Sequence, residues 1–190
     1  MIRSIRRPKL TLGGIGWILV LGFLALRIYP QLRAAAGIGG SERQAPAFMV
    51  ETLDGTSIDA ETLRGKVVLV NFWATWCPPC RVEMPGFQRV YEARRDEGFV
   101  VLGLSTDRGS VRAVGEFVRD RQLTFPVAMA PKPVVRAFGG VRALPTSFLI
   151  DRNGVIRQEV TGLFAEPALR LAVSHLLAEP YDSTGSGGER

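Results

Sequence analysis

One junction in this chain limits its fold more than any other feature. Residues 66–73 (KVVLVNFW) are a continuous apolar, β-branched run, the pattern of a strand buried on both faces. Trp76-Cys77-Pro78-Pro79-Cys80 follows almost at once. Residues 78–97 then predict a helix, with Met84, Phe87 and Tyr91 on one face. A buried strand that hands over directly to a helix is the start of a layered α/β architecture.

The remaining pattern extends that unit. Residues 47–59 predict two short strands around Asp54-Gly55, a hairpin signal. Residues 99–104 (FVVLGL) are a second buried strand, and 110–122 a helix with Val111, Val114 and Val118 on one side. A short strand over 125–129 and a short helix over 133–138 come next. Residues 146–150 (TSFLI) are a strand, turned by Asp151-Arg152-Asn153-Gly154 into another over 155–160. The last helix, 166–178, carries an apolar stripe of Leu169, Ala172, Val173, Leu176 and Leu177. This order predicts an α/β fold. It has a mixed central β-sheet with helices on both faces and an extra N-terminal β-hairpin.

The flanks read differently. Residues 10–26 carry no charge, and extension to Tyr29 gives about twenty residues, enough to span a bilayer core. Residues 10–29 are therefore expected to be a transmembrane anchor preceding the α/β fold. Arg3, Arg6, Arg7 and Lys9 lie before it, so residues 1–9 are expected in the cytoplasm and the rest outside. A cleaved leader ending near Ala34-Ala35-Ala36 fits less well, because Arg27 and Arg33 interrupt the stretch before it. Residues 30–45 read as a flexible linker, 46–179 as the folded domain and 180–190 as a disordered tail.

Charge follows the same division. The net charge of +6 comes entirely from six basic groups in residues 1–33, while the remaining 18 basic and 18 acidic groups cancel. The domain has no excess positive charge to hold a polyanion, so no nucleic-acid partner is expected.

Cys77 and Cys80 are the only cysteines. A bridge between residues three apart closes too small a loop to brace a fold. Their position suits redox chemistry. Free N–H groups and the dipole at a helix N-terminus favour a thiolate on Cys77, the species that attacks disulfides. Cys80 follows one turn later, within reach of a disulfide. Pro78 and Pro79 occupy the first turn, where a missing N–H costs nothing, and stiffen the loop. Trp76 is expected to shield the pair while leaving Cys77 open at its edge. A zinc site wants about four ligands. The sole histidine, His175, falls off the apolar stripe of the last helix, so neither metal nor other cofactor is expected.

The stretch Val68–Pro85 (VLVNFWATWCPPCRVEMP) resembles the active-site segment of thioredoxin-fold proteins. More narrowly, the chain is similar to the membrane-anchored TlpA/ResA-like thiol–disulfide oxidoreductases, within the redoxin/AhpC-TSA-like group. The likeness spans about residues 45–178. It takes in Ala45-Pro46-Ala47-Phe48, Asp54-Gly55, Leu63-Arg64-Gly65-Lys66 and Leu144-Pro145-Thr146-Ser147-Phe148-Leu149-Ile150-Asp151. The resemblance implies that Pro145 is a cis proline facing the disulfide. It also implies that Leu144, Pro145 and Thr146, with Trp76, Pro78 and Pro79, receive the partner. Pro85 matches the proline of the family's active-site helix, where it must break one helical hydrogen bond. Glu83 matches an acidic residue that influences thiol acidity and specificity. Thioredoxin's buried aspartate falls here at Asn71, as is common in TlpA/ResA-like chains, and Asn cannot shuttle a proton. Glu83 or water is the expected relay for Cys80.

The function so implied is exchange of the Cys77–Cys80 couple with partner protein thiols and disulfides, such as those of apocytochrome c. The expected direction is reduction. The resemblance also implies a membrane electron donor of the DsbD/CcdA kind. It implies a single-pass place in a bacterial cytoplasmic membrane, with the domain facing the periplasm. Two rivals fit less well. A peroxiredoxin needs a threonine three residues before its reactive cysteine, and position 74 is alanine. A copper-carrying metallochaperone of this fold adds a histidine and wider cysteine spacing.

Overall fold

The computed structural model describes residues 43–181. The expected cytoplasmic segment 1–9, the anchor 10–29, most of the linker and the tail beyond Tyr181 lie outside the described residues. Among the described residues no helix is long and apolar enough to cross a membrane.

The elements run in the order β1 (Arg43–Gln44), β2 (Met49–Glu51), β3 (Ser57–Asp59), β4 (Val67–Trp73), α1 (Pro78–Arg94), β5 (Phe99–Ser105), α2 (Val111–Asp120), β6 (Val127–Met129), α3 (Lys132–Ala137), β7 (Thr146–Ile150), β8 (Val155–Thr161) and α4 (Glu166–Ala178). Six strands form one sheet in the order β1-β8-β7-β4-β5-β6, and β2 and β3 pair apart from it as a hairpin. β4, β5 and β6 are parallel. β7 runs antiparallel to β4, β8 to β7 and β1 to β8. This is the thioredoxin-like α/β arrangement.

β4 lies inside the sheet between β5 and β7, and all of its residues are buried. Its side chains alternate between two apolar layers. Val67, Leu69 and Trp73 join Met84, Phe87 and Val90 of α1, Val114 of α2 and Leu169, Val173 and Leu176 of α4. Val68, Val70 and Phe72 face the other way, toward Phe48 and Val50 at the hairpin, Leu63, and Val134 and Phe138 at α3. Helices thus cover both faces. Gly103 of β5 makes room for the Trp73 ring: a Cβ there would sit 3.2 Å from Trp73 Nε1 and 3.2 Å from the Phe125 ring. The last residue before the active loop is therefore anchored by its whole side chain.

Three of the differences between the observed boundaries and the sequence reading bear on packing. Arg43 and Gln44 belong to the stretch 30–45 expected to be a linker, yet they pair with Ile156 and Val155 and cover the free edge of β8. The helix expected through residue 97 ends at Arg94 and tightens into a 3₁₀ turn over Arg95–Glu97. Gly98 stops it with φ +94°, a conformation that suits glycine. At the other end Tyr181, inside the expected tail, lies over Gly65.

Phe72 is fully buried and its ring lies 5.4 Å from Phe138 and 6.0 Å from Phe148. Phe72→Ala empties the centre of that layer. It should cost roughly 3–5 kcal/mol of stability, read as a lower urea midpoint.

Candidate active site

The site is built where β4 ends and α1 begins. Thr75 is pinned in this loop by Asp107, just beyond β5. Asp107 accepts the Thr75 N–H at 2.9 Å and the Thr75 hydroxyl at 2.6 Å. It is itself oriented by the Ser105 hydroxyl at 2.7 Å. Thr106 N–H donates to the Trp73 carbonyl at 2.8 Å. The loop is thus tied to the neighbouring parallel strand at two successive points.

Cys77 is the N-cap of α1, with extended backbone, and Pro78 and Pro79 fill the first two helical positions. Four N–H groups at a helix start normally lack partners. The two prolines have no N–H at all. The first amide of the helix that can donate is that of Cys80, and it points at Cys77 Sγ, 3.3 Å away. Arg81 N–H bonds to the Cys77 carbonyl at 3.2 Å and starts the regular ladder. The positive end of this helix is therefore directed at one sulfur atom.

Cys77 and Cys80 are joined in a disulfide with Cα atoms 5.3 Å apart. Their exposure is unequal and small: 3% for Cys77 and none for Cys80. Cys77 is more enclosed than the sequence reading expects, because both cysteines pack into the apolar layer beneath α1. Trp76 does not seal the pair, being 67% exposed. Cys77 instead lines the floor of an open cleft of about 980 Å³, together with Trp76, Pro78, Pro79, Asp107 and Leu144. Cys80 does not reach that cleft.

The Leu144–Pro145 peptide bond is cis. Leu144 lines the cleft, while Pro145 and Thr146 are buried. Thr146 begins β7, and its hydroxyl donates to the Ala143 carbonyl at 2.8 Å, which draws it inward. Of the six residues expected to receive a partner, Trp76, Pro78, Pro79 and Leu144 thus share the cleft with Cys77. Pro145 and Thr146 do not line it. Among the described residues, neither the N–H nor the C=O of Leu144 bonds to another main-chain group.

Glu83 follows Cys80 by three residues, so both occupy the same face of α1. It is 4% exposed. Its carboxylate accepts Asn71 Nδ2–H at 2.9 Å and the Phe164 backbone N–H at 3.0 Å. Burial raises the Glu83 pKa from 4.5 to about 7, against the lowering effect of the Phe164 and Asn71 hydrogen bonds. The carboxyl can therefore change protonation near neutrality. Asn71 gives its second amide hydrogen to Ser147 Oγ at 3.0 Å. The sequence reading marked Asn71 and Glu83 but missed Ser147 and Phe164. A signal for Ser147 was present: it is a polar residue inside the buried run TSFLI, opposite Asn71 in the β4–β7 register. Asp107 was missed too. Its cue is its place just past the carboxyl end of a parallel strand. His175 is exposed and lies 3.2 Å from Glu179.

Comparison with known proteins agrees with this geometry. The AhpC/TSA family pattern matches residues 42–159. The thiol-disulfide oxidoreductase ResA of Bacillus thuringiensis (strain Al Hakam) is 36% identical over 150 residues, covering 79% of this chain and 81% of the relative. The thioredoxin-like protein YneN of Bacillus subtilis (strain 168) is 34% identical over 151 residues, covering 78% and 88%. Among solved structures, the thiol:disulfide interchange protein of the thioredoxin family from Chlorobium tepidum TLS superposes with a TM-score of 0.68. Its identity is 32%, over 74% of this chain and 99% of that one.

The raised Glu83 pKa has a consequence for stability. The folded state holds the Glu83 proton more tightly than the unfolded chain. Stability from this group is then fully present below pH 4.5 and is lost as pH rises through about 7. The loss should be on the order of 3 kcal/mol. Glu83→Gln should remove that pH dependence in urea titrations. It should also lower stability modestly at pH 5, because an amide offers one acceptor oxygen where Asn71 and Phe164 use two.

Proposed function

The chain belongs to the AhpC/TSA family and, within it, to the ResA-like thiol–disulfide oxidoreductases, and on that premise we propose that Cys77 attacks partner disulfides and Cys80 resolves them. The observation that carries this reading is the Cys80 N–H directed at Cys77 Sγ, in a first turn whose other donors are removed by proline. A thiolate on Cys77 gains a charge-assisted hydrogen bond that a thiolate on Cys80 lacks. The greater exposure of Cys77, and its place on the cleft floor, support the same order.

The steps balance as follows. The Cys77 thiolate attacks one sulfur of the partner disulfide. A mixed disulfide forms, and the partner's other sulfur leaves as a thiolate that takes a proton from solvent. Cys80 then loses its proton and attacks Cys77 Sγ. The mixed bond breaks, and the partner's second sulfur leaves and is protonated. Two electrons pass from the Cys77–Cys80 dithiol to the partner. Glu83, one turn beyond Cys80 and titrating near neutrality, is the group suited to accept the Cys80 proton. The free main-chain groups of Leu144 are suited to pair with an extended partner segment across the cleft.

The finer assignment rests on the sequence. The apolar stretch 10–29 and the basic residues before it support a single-pass anchor with the domain outside the cytoplasmic membrane. That compartment tends to oxidise thiols, so a tethered dithiol protein is most useful there as a reductant. Apocytochrome c is the kind of substrate that fits, with a DsbD/CcdA-like membrane protein as electron donor. Ala74, fully buried, stands where a peroxiredoxin needs threonine.

Two outcomes test the reading. Cys80→Ser should accumulate mixed disulfides through Cys77, seen on non-reducing gels, while Cys77→Ser should accumulate essentially none. Equal trapping by both variants contradicts the order of attack. Glu83→Gln should slow resolution of the mixed disulfide about tenfold or more near pH 7, and the pH-dependent step near 7 should vanish from the rate profile.

A further inference from the structure

We infer that the cleft over Cys77 selects partner segments that carry acidic side chains a few residues from their cysteine, through Arg108, Lys132 and Arg142. The inference rests on the exchange reading above and adds a partner chemistry to it.

Three separate parts of the fold bring cations to one rim. Arg108 follows β5, Lys132 opens α3 and Arg142 stands in the loop before the cis bond, and all three line the cleft that holds Cys77. All three are exposed. Among the described residues none of them has a carboxylate within salt-bridge distance; Lys66, Arg81, Arg119, Arg121, Arg136 and Arg152 share that state, but none of those six lines the cleft. Among the described residues the only acidic one lining the cleft is Asp107. Both of its oxygens are turned inward, onto Thr75 and Ser105. The rim thus has a net positive charge and solvent-facing hydrogen-bond donors that no carboxylate of the described residues occupies.

Between these cations the floor is largely apolar, with Trp76, Pro78, Ala130, Val135, Val141 and Leu144. The shape and chemistry fit an extended chain. Apolar residues next to the partner cysteine would cover the floor, and Asp or Glu a few residues away would meet the rim. A concave cleft over a buried sulfur does not fit a flat lipid surface. Charges placed this way act mainly on encounter and selectivity, and salt weakens them.

The test uses the reduced full chain and two synthetic peptide disulfides of equal length. They share the residues next to cysteine, and one has glutamates in its flanks where the other has lysines. Release of peptide thiols and oxidation of the Cys77–Cys80 pair are followed together. The acidic peptide should be reduced about tenfold faster, in kcat/KM, at about 20 mM salt, and the difference should shrink below about twofold at about 0.5 M. The combined variant Arg108→Glu, Lys132→Glu, Arg142→Glu should invert the preference. Each single change to Gln should reduce it. Equal rates at low salt, or a preference that survives in the combined variant, overturn the inference and leave exchange intact. Reduction of neither peptide overturns the exchange reading itself.

Discussion

A single backbone amide organises this site. Because Pro78 and Pro79 remove the donors that precede it, the Cys80 N–H is the first free donor of α1, and it faces the Cys77 sulfur. The geometry depends on where the helix starts. That start is held by Trp73, buried against Gly103 and Phe117, and by the Thr75–Asp107 hydrogen bonds. A shift of one residue in this junction would aim the amide away from the sulfur and turn Cys80 off the apolar side of the helix. The rigidity of the sheet is thus translated into asymmetry between two chemically identical groups.

The second constraint is a polar thread through an apolar layer. Asn71 shares its strand face with Val67, Leu69 and Trp73, yet it neither reaches solvent nor goes unsatisfied. Its amide bridges Ser147 and Glu83, and Phe164 N–H completes the carboxylate's partners. Desolvation works against the charge while two donors work for it, and burial prevails. A salt bridge would have held Glu83 permanently ionised. Neutral donors leave it able to gain and lose a proton close to physiological pH, which a proton acceptor for a thiol requires.

Much of this architecture was legible in the order of residues. The β-branched, apolar run of β4, broken only by Asn71, the alternation of strands with helices and the turn Asp151-Arg152-Asn153-Gly154 carry local signals strong enough to define the layers. The cysteine spacing at a strand-to-helix junction did the same for the disulfide. What escaped was long-range. Asn71 and Ser147 are 76 positions apart and meet only because β7 returns antiparallel to β4. Phe164 meets Glu83 across 81 positions. β1 could not be foreseen, since two residues of polar sequence form a strand only when β8 offers an edge. The depth of Cys77 also depends on packing between layers, which no local pattern encodes.

The central claim is that the helix start makes Cys77, and not its neighbour, the readily ionised sulfur. The most direct measurement is the pH dependence of iodoacetamide alkylation in the fully reduced protein, with each cysteine resolved by mass spectrometry. The account predicts that Cys77 reacts first, with an apparent pKa below the ordinary thiol value of about 8.5, while Cys80 stays unreactive at neutral pH. Alkylation of Cys80 ahead of Cys77, or a Cys77 pKa at or above that ordinary value, would contradict it.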